Sequence, residues 1–260
     1  MMLVDDLLFL RWRSTVVLGL LLFALGCDSV RGSDPCDEAS SITLEAGSCL
    51  VFEDEGQLAA RRSHIEQVVR QTVASVNGLM PIDKVLIRVV ADPAQVIPEL
   101  GLSGYNPSEE EVVLFLDPQS SVLSQSLTAD LALVLAHEMH HAKRRRTVGY
   151  GSTLFEAAVS EGLADHFAME VVGSAPPLWA SALTGSELAL WISRARETWT
   201  DRPYDHRAWF VGAAPDIPRW AGYAIGFEIV RVYLSADPDR RASILVDEPA
   251  ETFLPDSPAW

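Results

Sequence analysis

Residues 131–146 read Leu-Ala-Leu-Val-Leu-Ala-His137-Glu138-Met139-His140-His141-Ala-Lys143-Arg144-Arg145-Arg146, and this stretch decides the fold. Its first six residues are apolar on every side of a helix, so the helix has to run through the middle of a core. The four basic residues at its far end suit the negative end of a helix dipole. Between the two lies His-Glu-x-x-His. Residues four apart on a helix share a face, about 5–6 Å from each other, so the His137 and His141 imidazoles can hold one ion. Glu138, one position on, can reach a water on that ion without displacing it. Zinc lowers the pKa of such a water to about 7, and a carboxylate beside it can take the proton. The plainer alternative is a buried helix whose exposed end happens to be polar. His140 also shares a face with His137, at i+3. A glutamate in second place serves the water only with His141 as partner, so His140 reads as a neighbour of the site or a surface residue.

A catalytic zinc needs a third protein ligand and one open position. Ser160-Glu161-Gly162-Leu163-Ala164-Asp165-His166 supplies Glu161, twenty residues after His141. The Gly149-Tyr150-Gly151 turn between them lets the chain reverse and lay a second helix beside the first. That helix starts at Thr153-Leu-Phe-Glu156, a capping-box pattern, and ends near Gly173 before Pro176-Pro177. Gly162 and Ala164 allow close packing near the ion. Asp165, one turn beyond Glu161, is placed to accept the free N–H of His137 and so fix its tautomer.

These residues resemble the site of the thermolysin-type zincins (gluzincins), whose ligands are His, His and Glu. More closely, His137-Glu-x-His-His141 with Glu161-Gly-Leu-Ala resembles a bacterial family of unknown function regarded as zinc-dependent proteases on the strength of that motif. The likeness extends through Tyr204-Asp-His-x-x-Trp-Phe210 and Pro218-Arg-Trp-Ala-Gly-Tyr-Ala-Ile-Gly226, and so covers most of residues 60–250. It implies a zincin-like fold, Zn2+ as cofactor and a peptide or protein as substrate. In thermolysin-like enzymes a His or Tyr beyond the third ligand stabilises the oxyanion. His206, 45 residues past Glu161, and Tyr223, flanked by Gly222 and Gly226, are the candidates for that part. Either one could equally be core packing. By the same analogy the strand over 111–116, which precedes the metal helix, could bind substrate by β-addition.

The rest of the chain fits around this centre. Periodicity predicts a helix over 53–77, strands over 84–91 and 111–116, and a metal helix starting near Ser126 or Thr128. Further helices are predicted over 186–199 and 218–235, with an irregular, aromatic-rich loop over 201–217 between them. Strands followed by a run of helices indicate α+β, with a small N-terminal β-sheet packed on a helical metal-binding core.

The N-terminal end reads differently. Arg11 and Arg13 precede an apolar run of eleven residues, 15–25, which is shorter than the ~20 a spanning helix needs. A basic start, a short apolar middle and Ala24-Leu25-Gly26 before Cys27 describe a signal peptide over 1–26 that resembles a bacterial lipoprotein signal. Asp5 and Asp6 dilute its basic start. Cys27 is then the lipidated residue, and the expected location is the cell envelope, lipid-anchored and facing the periplasm or exterior. Asp28 resembles an inner-membrane retention signal. Cys36 and Cys49 remain as an even pair, expected to form a disulfide within a tether over 27–52. The metal-binding domain is assigned to 53–260. With 260 residues, 48% of them hydrophobic, the chain can bury one full core. A net charge of −16 argues against nucleic acid, whose phosphates need Lys and Arg to displace their counterions. The expected activity is zinc-dependent peptide hydrolysis with Glu138 as general base. Two alternatives are a zinc-binding lipoprotein with a binding or scaffold role and no turnover, and a zinc hydrolase of a non-peptide amide or ester.

Overall fold

After a short 3-10 turn at Pro35–Asp37 the chain enters its first strands. β1 (Ile42–Thr43), β2 (Cys49–Glu53), β3 (Leu86–Ala91), β4 (Leu102–Ser108) and β5 (Glu111–Leu116) form one sheet in the order β1-β2-β3-β5-β4. The three inner strands are parallel, while β1 and β4 run antiparallel along the two edges. Alternation sets the faces: Ile87 and Val89 are fully buried, whereas Arg88 points the other way and pairs with Glu53 on β2 and Glu111 on β5. The structure is a computed structural model and describes residues 35–37 and 40–254. The signal peptide expected over 1–26, with Cys27 and Asp28, lies outside the described residues. Among the described residues no helix is long and apolar enough to cross a membrane.

Two expectations about the sheet change. The helix expected from residue 53 starts only at Arg62, as α1 (Arg62–Leu79), because Cys49–Glu53 continues extended as β2. Asp54 ends that strand: its carboxylate accepts the Leu58 N–H at 2.7 Å and pairs with the Arg62 guanidinium. Residues 42–53, mostly read as tether, therefore contribute two strands, and the Cys36–Cys49 disulfide fastens the segment before them to β2. The second change concerns β5, expected to meet an extended substrate. β5 is enclosed between β3 and β4, so the edge belongs to β4. Leu-Ser-Gly-Tyr-Asn-Pro-Ser gives little sign of a strand, because Gly, Asn and Pro are all poor in sheets; its pairing also slips between Tyr105 and Ser108.

The helical part follows. The expected metal helix is two helices, α2 (Leu123–Ala129) and α3 (Leu131–Arg145), meeting at Asp130. From Leu131 to Ala142 every residue of α3 except Ala132 is buried, as an apolar surround requires. The basic end of α3 does more than suit the dipole. Buried Arg144 donates to Ser160 Oγ at 3.0 Å and to the carbonyls of Val246 and Glu248 at 2.8 Å each, tying the C-terminal segment to the core. α4 (Leu154–Val172) opens on the expected capping box of Thr153 and Glu156 and stops at Gly173, whose φ of 71° needs no Cβ. α5 (Gly185–Arg196) comes next, and the loop after it holds one π-helical turn, Arg207–Val211. α6 (Ala221–Ser235) starts three residues later than expected because Trp220 takes a left-handed conformation. The chain is thus α+β, its small N-terminal sheet packed on the helices.

α4 and α6 touch backbone to backbone. A Cβ on Gly226 would lie 1.9 Å from the Ala158 carbonyl oxygen, and one on Gly162 would lie 2.1 Å from that of Gly226. Gly226→Ala must therefore push the two helices apart, and overpacking of this kind costs about 1–3 kcal/mol. The urea midpoint of that variant should fall clearly below wild type, and an unchanged midpoint would contradict the contact.

Candidate metal centre

His137 and His141, one turn apart on α3, project toward Glu161 on α4. His137 Nε2 lies 2.9 Å from Glu161 Oε2 and 3.0 Å from His141 Nε2, and His141 Nε2 lies 3.3 Å from the same carboxylate oxygen. All three residues are buried. The chemistry of this donor set suits a zinc ion. Bonds of about 2.0–2.1 Å arranged tetrahedrally put the donor atoms about 3.3–3.4 Å apart. The three observed separations come within about half an ångström of that figure. With both rings neutral and protonated at Nδ1, the two imidazole nitrogens facing each other at 3.0 Å would also set lone pair against lone pair, which a cation between them would relieve.

Asp165 holds the first imidazole from behind. Its Oδ1 lies 2.9 Å from His137 Nδ1 and accepts the N–H there, so in the neutral ring Nε2 is the nitrogen left to bind a metal. The same oxygen accepts the indole N–H of Trp179 at 2.8 Å. Burial acts to depress the His137 pKa, but the Asp165 and Glu161 carboxylates outweigh it and raise it well above the usual value. Burial also opposes ionisation of Glu161, yet His141 and His137 hold its carboxyl well below the normal range. Its other oxygen, Oε1, accepts the Tyr150 hydroxyl at 2.5 Å, which leaves Oε2 turned toward the histidines.

Glu138 stands apart from this trio. It is buried and lines a groove on both sides of His137, and burial lifts its pKa to about 7 against the pull of His137. Gly104 on β4 makes room for it: a Cβ there would come within 2.5 Å of Glu138 Cγ. The groove has two halves, a larger of about 530 Å³ and a smaller of about 320 Å³. Gly104, His137, Glu138 and Tyr223 line both. β4 runs along it, with Ser103 in the larger half and Tyr105 and Asn106 in the smaller.

Both oxyanion candidates border the groove, in different places. Tyr223 on α6 faces both halves, and burial, together with Glu161 and Glu138, raises its pKa well above normal and keeps its hydroxyl protonated. His206 lines only the smaller half, where it stacks on Phe210 at 4.7 Å and lies 3.0 Å from the Tyr204 hydroxyl. Burial lowers its pKa, so the ring is neutral near pH 7. His140 is not on the surface: it is fully buried, its ring 5.4 Å from that of Phe167 on α4.

Sequence reasoning missed Tyr150, Trp179, Gly104, Arg145 and Asn106. Tyr150 had a signal, a lone aromatic between two glycines of a turn that ends beside the metal helix. Trp179, beyond Pro176-Pro177, had none, because its partner Asp165 comes from a different element.

A family model described as predicted Zn-dependent protease (DUF2268) matches residues 63–255 of the chain. The match starts inside α1, so it takes in every residue of the centre and leaves β1, β2 and the disulfide outside. Among curated proteins, the uncharacterized protein YjaZ of Bacillus subtilis (strain 168) is 30% identical over 151 residues. That alignment covers 54% of this chain and 56% of YjaZ, so the chain spans little more than half the length of that relative.

Proposed function

The chain belongs to the family of predicted Zn-dependent proteases, and from that premise we propose that it is a zinc peptidase which hydrolyses peptide bonds with Glu138 as general base. One observation carries the reading: three donor atoms from α3 and α4 lie within 3.3 Å of one another, and a further buried acid, Glu138, which is not one of them, lines the same groove. His137, His141 and Glu161 would hold the zinc, which supplies an acidified water and a Lewis acid for the scissile carbonyl. Glu138 takes the proton from the attacking water and passes it to the leaving amine. Asp165 and Trp179 fix the tautomer of His137, and Tyr150 orients Glu161. An extended peptide adds to the outer edge of β4, with Gly104 keeping the strand close to Glu138. We place the protein in the bacterial cell envelope, tethered through lipid on Cys27, as the N-terminal sequence suggests.

Tyr223 is the better oxyanion donor of the two, because it borders both halves of the groove beside Glu138 and carries a protonated hydroxyl. Loss of one such donor costs about 10²–10³ in kcat. Tyr223→Phe is expected to show that loss with KM little changed, and His206→Ala a smaller one. The reverse order in a steady-state comparison would reassign the role.

The deciding experiment measures zinc in the purified protein, then cleavage of a mixed peptide library with and without a chelator. About one zinc per chain and chelator-sensitive cleavage are expected. Zinc without cleavage would point to a binding role, and turnover only of model esters or non-peptide amides to the other hydrolase reading.

A further inference from the structure

Arg145 is the one arginine or lysine lining the smaller half of the groove, and no ion pair among the described residues neutralises it. Its Nε donates to Asn106 Oδ1 at 2.6 Å, its Nη2 to the Asn106 carbonyl at 3.2 Å, and its guanidinium carbon lies 5.7 Å from the Tyr150 ring centre. Among the described residues no carboxylate pairs with it, although its neighbour Arg146 pairs with Asp83, and Arg219, in the larger half, pairs with Glu99. The side chain is half-buried, so solvent compensates it only in part. Two neutral contacts hold the guanidinium in place and, among the described residues, leave Nη1 without a hydrogen-bond partner. Tyr204 and His206 line the same half, and its only acids are Glu138 and Glu161 at the metal end.

We infer that this half of the groove selects substrates with an acidic side chain on the N-terminal side of the cleaved bond, and that Arg145 reads it. The inference rests on the peptidase reading. Direction comes from the edge strand. β4 runs from the larger half toward the smaller, and antiparallel pairing, the more stable kind, makes a peptide run the opposite way. Residues before the scissile bond then lie at the Asn106 end. Four residues of α3 separate Arg145 from His141, about 6 Å of helix, and an extended peptide advances about 3.3 Å per residue. The acidic residue is therefore about two positions before the cleaved bond. A free C-terminus would lie in the other half, so the carboxylate is an Asp or Glu side chain. A planar guanidinium forms two parallel bonds with such a group, which an ammonium does not reproduce.

The test uses peptides blocked at both ends, in pairs that differ only by Glu or Gln at that position. Their binding to zinc-loaded Glu138→Gln protein is measured by calorimetry, and wild-type protein is assayed separately for cleavage. The Glu peptide is expected to bind at least tenfold more tightly, with Arg145→Gln in the same background equalising the pair and Arg145→Lys recovering part of the difference. Equal or weaker binding of the Glu peptide would overturn the inference. A tenfold difference in binding with neither peptide cleaved by wild type would instead keep the anion site and reject the peptidase. Because Arg145 also holds Asn106 at the end of β4, the comparison of the two peptides on unaltered Arg145 decides the matter even if the variants unfold.

Discussion

Glu138→Gln is expected to keep one zinc per chain and to lower kcat by about 10²–10⁴, the range that a general base contributes. Glutamine has the same shape, so it fits the space that Gly104 leaves beside Val134, but it cannot accept a proton. Metal content should hold because Glu138 is not part of the trio of converging donors. A variant with full activity would remove Glu138 from the reaction, and one without zinc would make it a ligand. The pH profile offers a second check. The ionised carboxylate is the acceptor, and burial puts its pKa at about 7, so activity should be present above that value and lost as the pH falls through it. A bound cation favours ionisation and moves this acid limb lower, so the limb lies at or below about pH 7. The glutamine variant should lack it.

Sequence alone revealed the parts of this centre that one helix or one local pattern encodes. His137, Glu138 and His141 follow from helical spacing, and the start and stop of α4 follow from Thr153, Glu156 and Gly173. Glu161 and Asp165 were readable because four residues separate them on a single helix. Contacts between elements were not readable. Gly104 matters for the space it leaves around Glu138, and Trp179 matters through Asp165 on another helix; neither fact has a local signature. β4 was missed for a related reason. Its Gly, Asn and Pro argue against a strand, yet an edge beside a groove tolerates them, since one side of the strand needs no partner and a small residue lets the backbone approach Glu138. The swap of β5 for β4 at the edge shows the limit clearly, because strand order is set by pairing and not by position in the chain.

Glu161→Ala should abolish stoichiometric zinc. It removes one donor of three and also releases the other two: without the carboxylate, His137 keeps Asp165 but His141 keeps only the facing His137 nitrogen. Loss of an outer partner such as Asp165 typically weakens a metal site by about 10–100-fold, and loss of the ligand itself should exceed that. The consequence reaches the fold, because an ion that binds only the native state stabilises it in proportion to the logarithm of affinity. A 100-fold excess over Kd adds about 2.7 kcal/mol, so a variant that no longer binds at the same zinc concentration forfeits all of it. Thermal unfolding with zinc and with chelator reads this directly. Wild type should melt higher with zinc, whereas Glu161→Ala should melt at one temperature in both. Tyr150→Phe separates ligation from orientation: it removes the bond to Oε1 but leaves Oε2 available, so its zinc-dependent shift should shrink and not vanish. If Glu161→Ala kept the full shift, the third donor would have to come from elsewhere, and His206 or Tyr204 across the smaller half of the groove would be the next residues to replace.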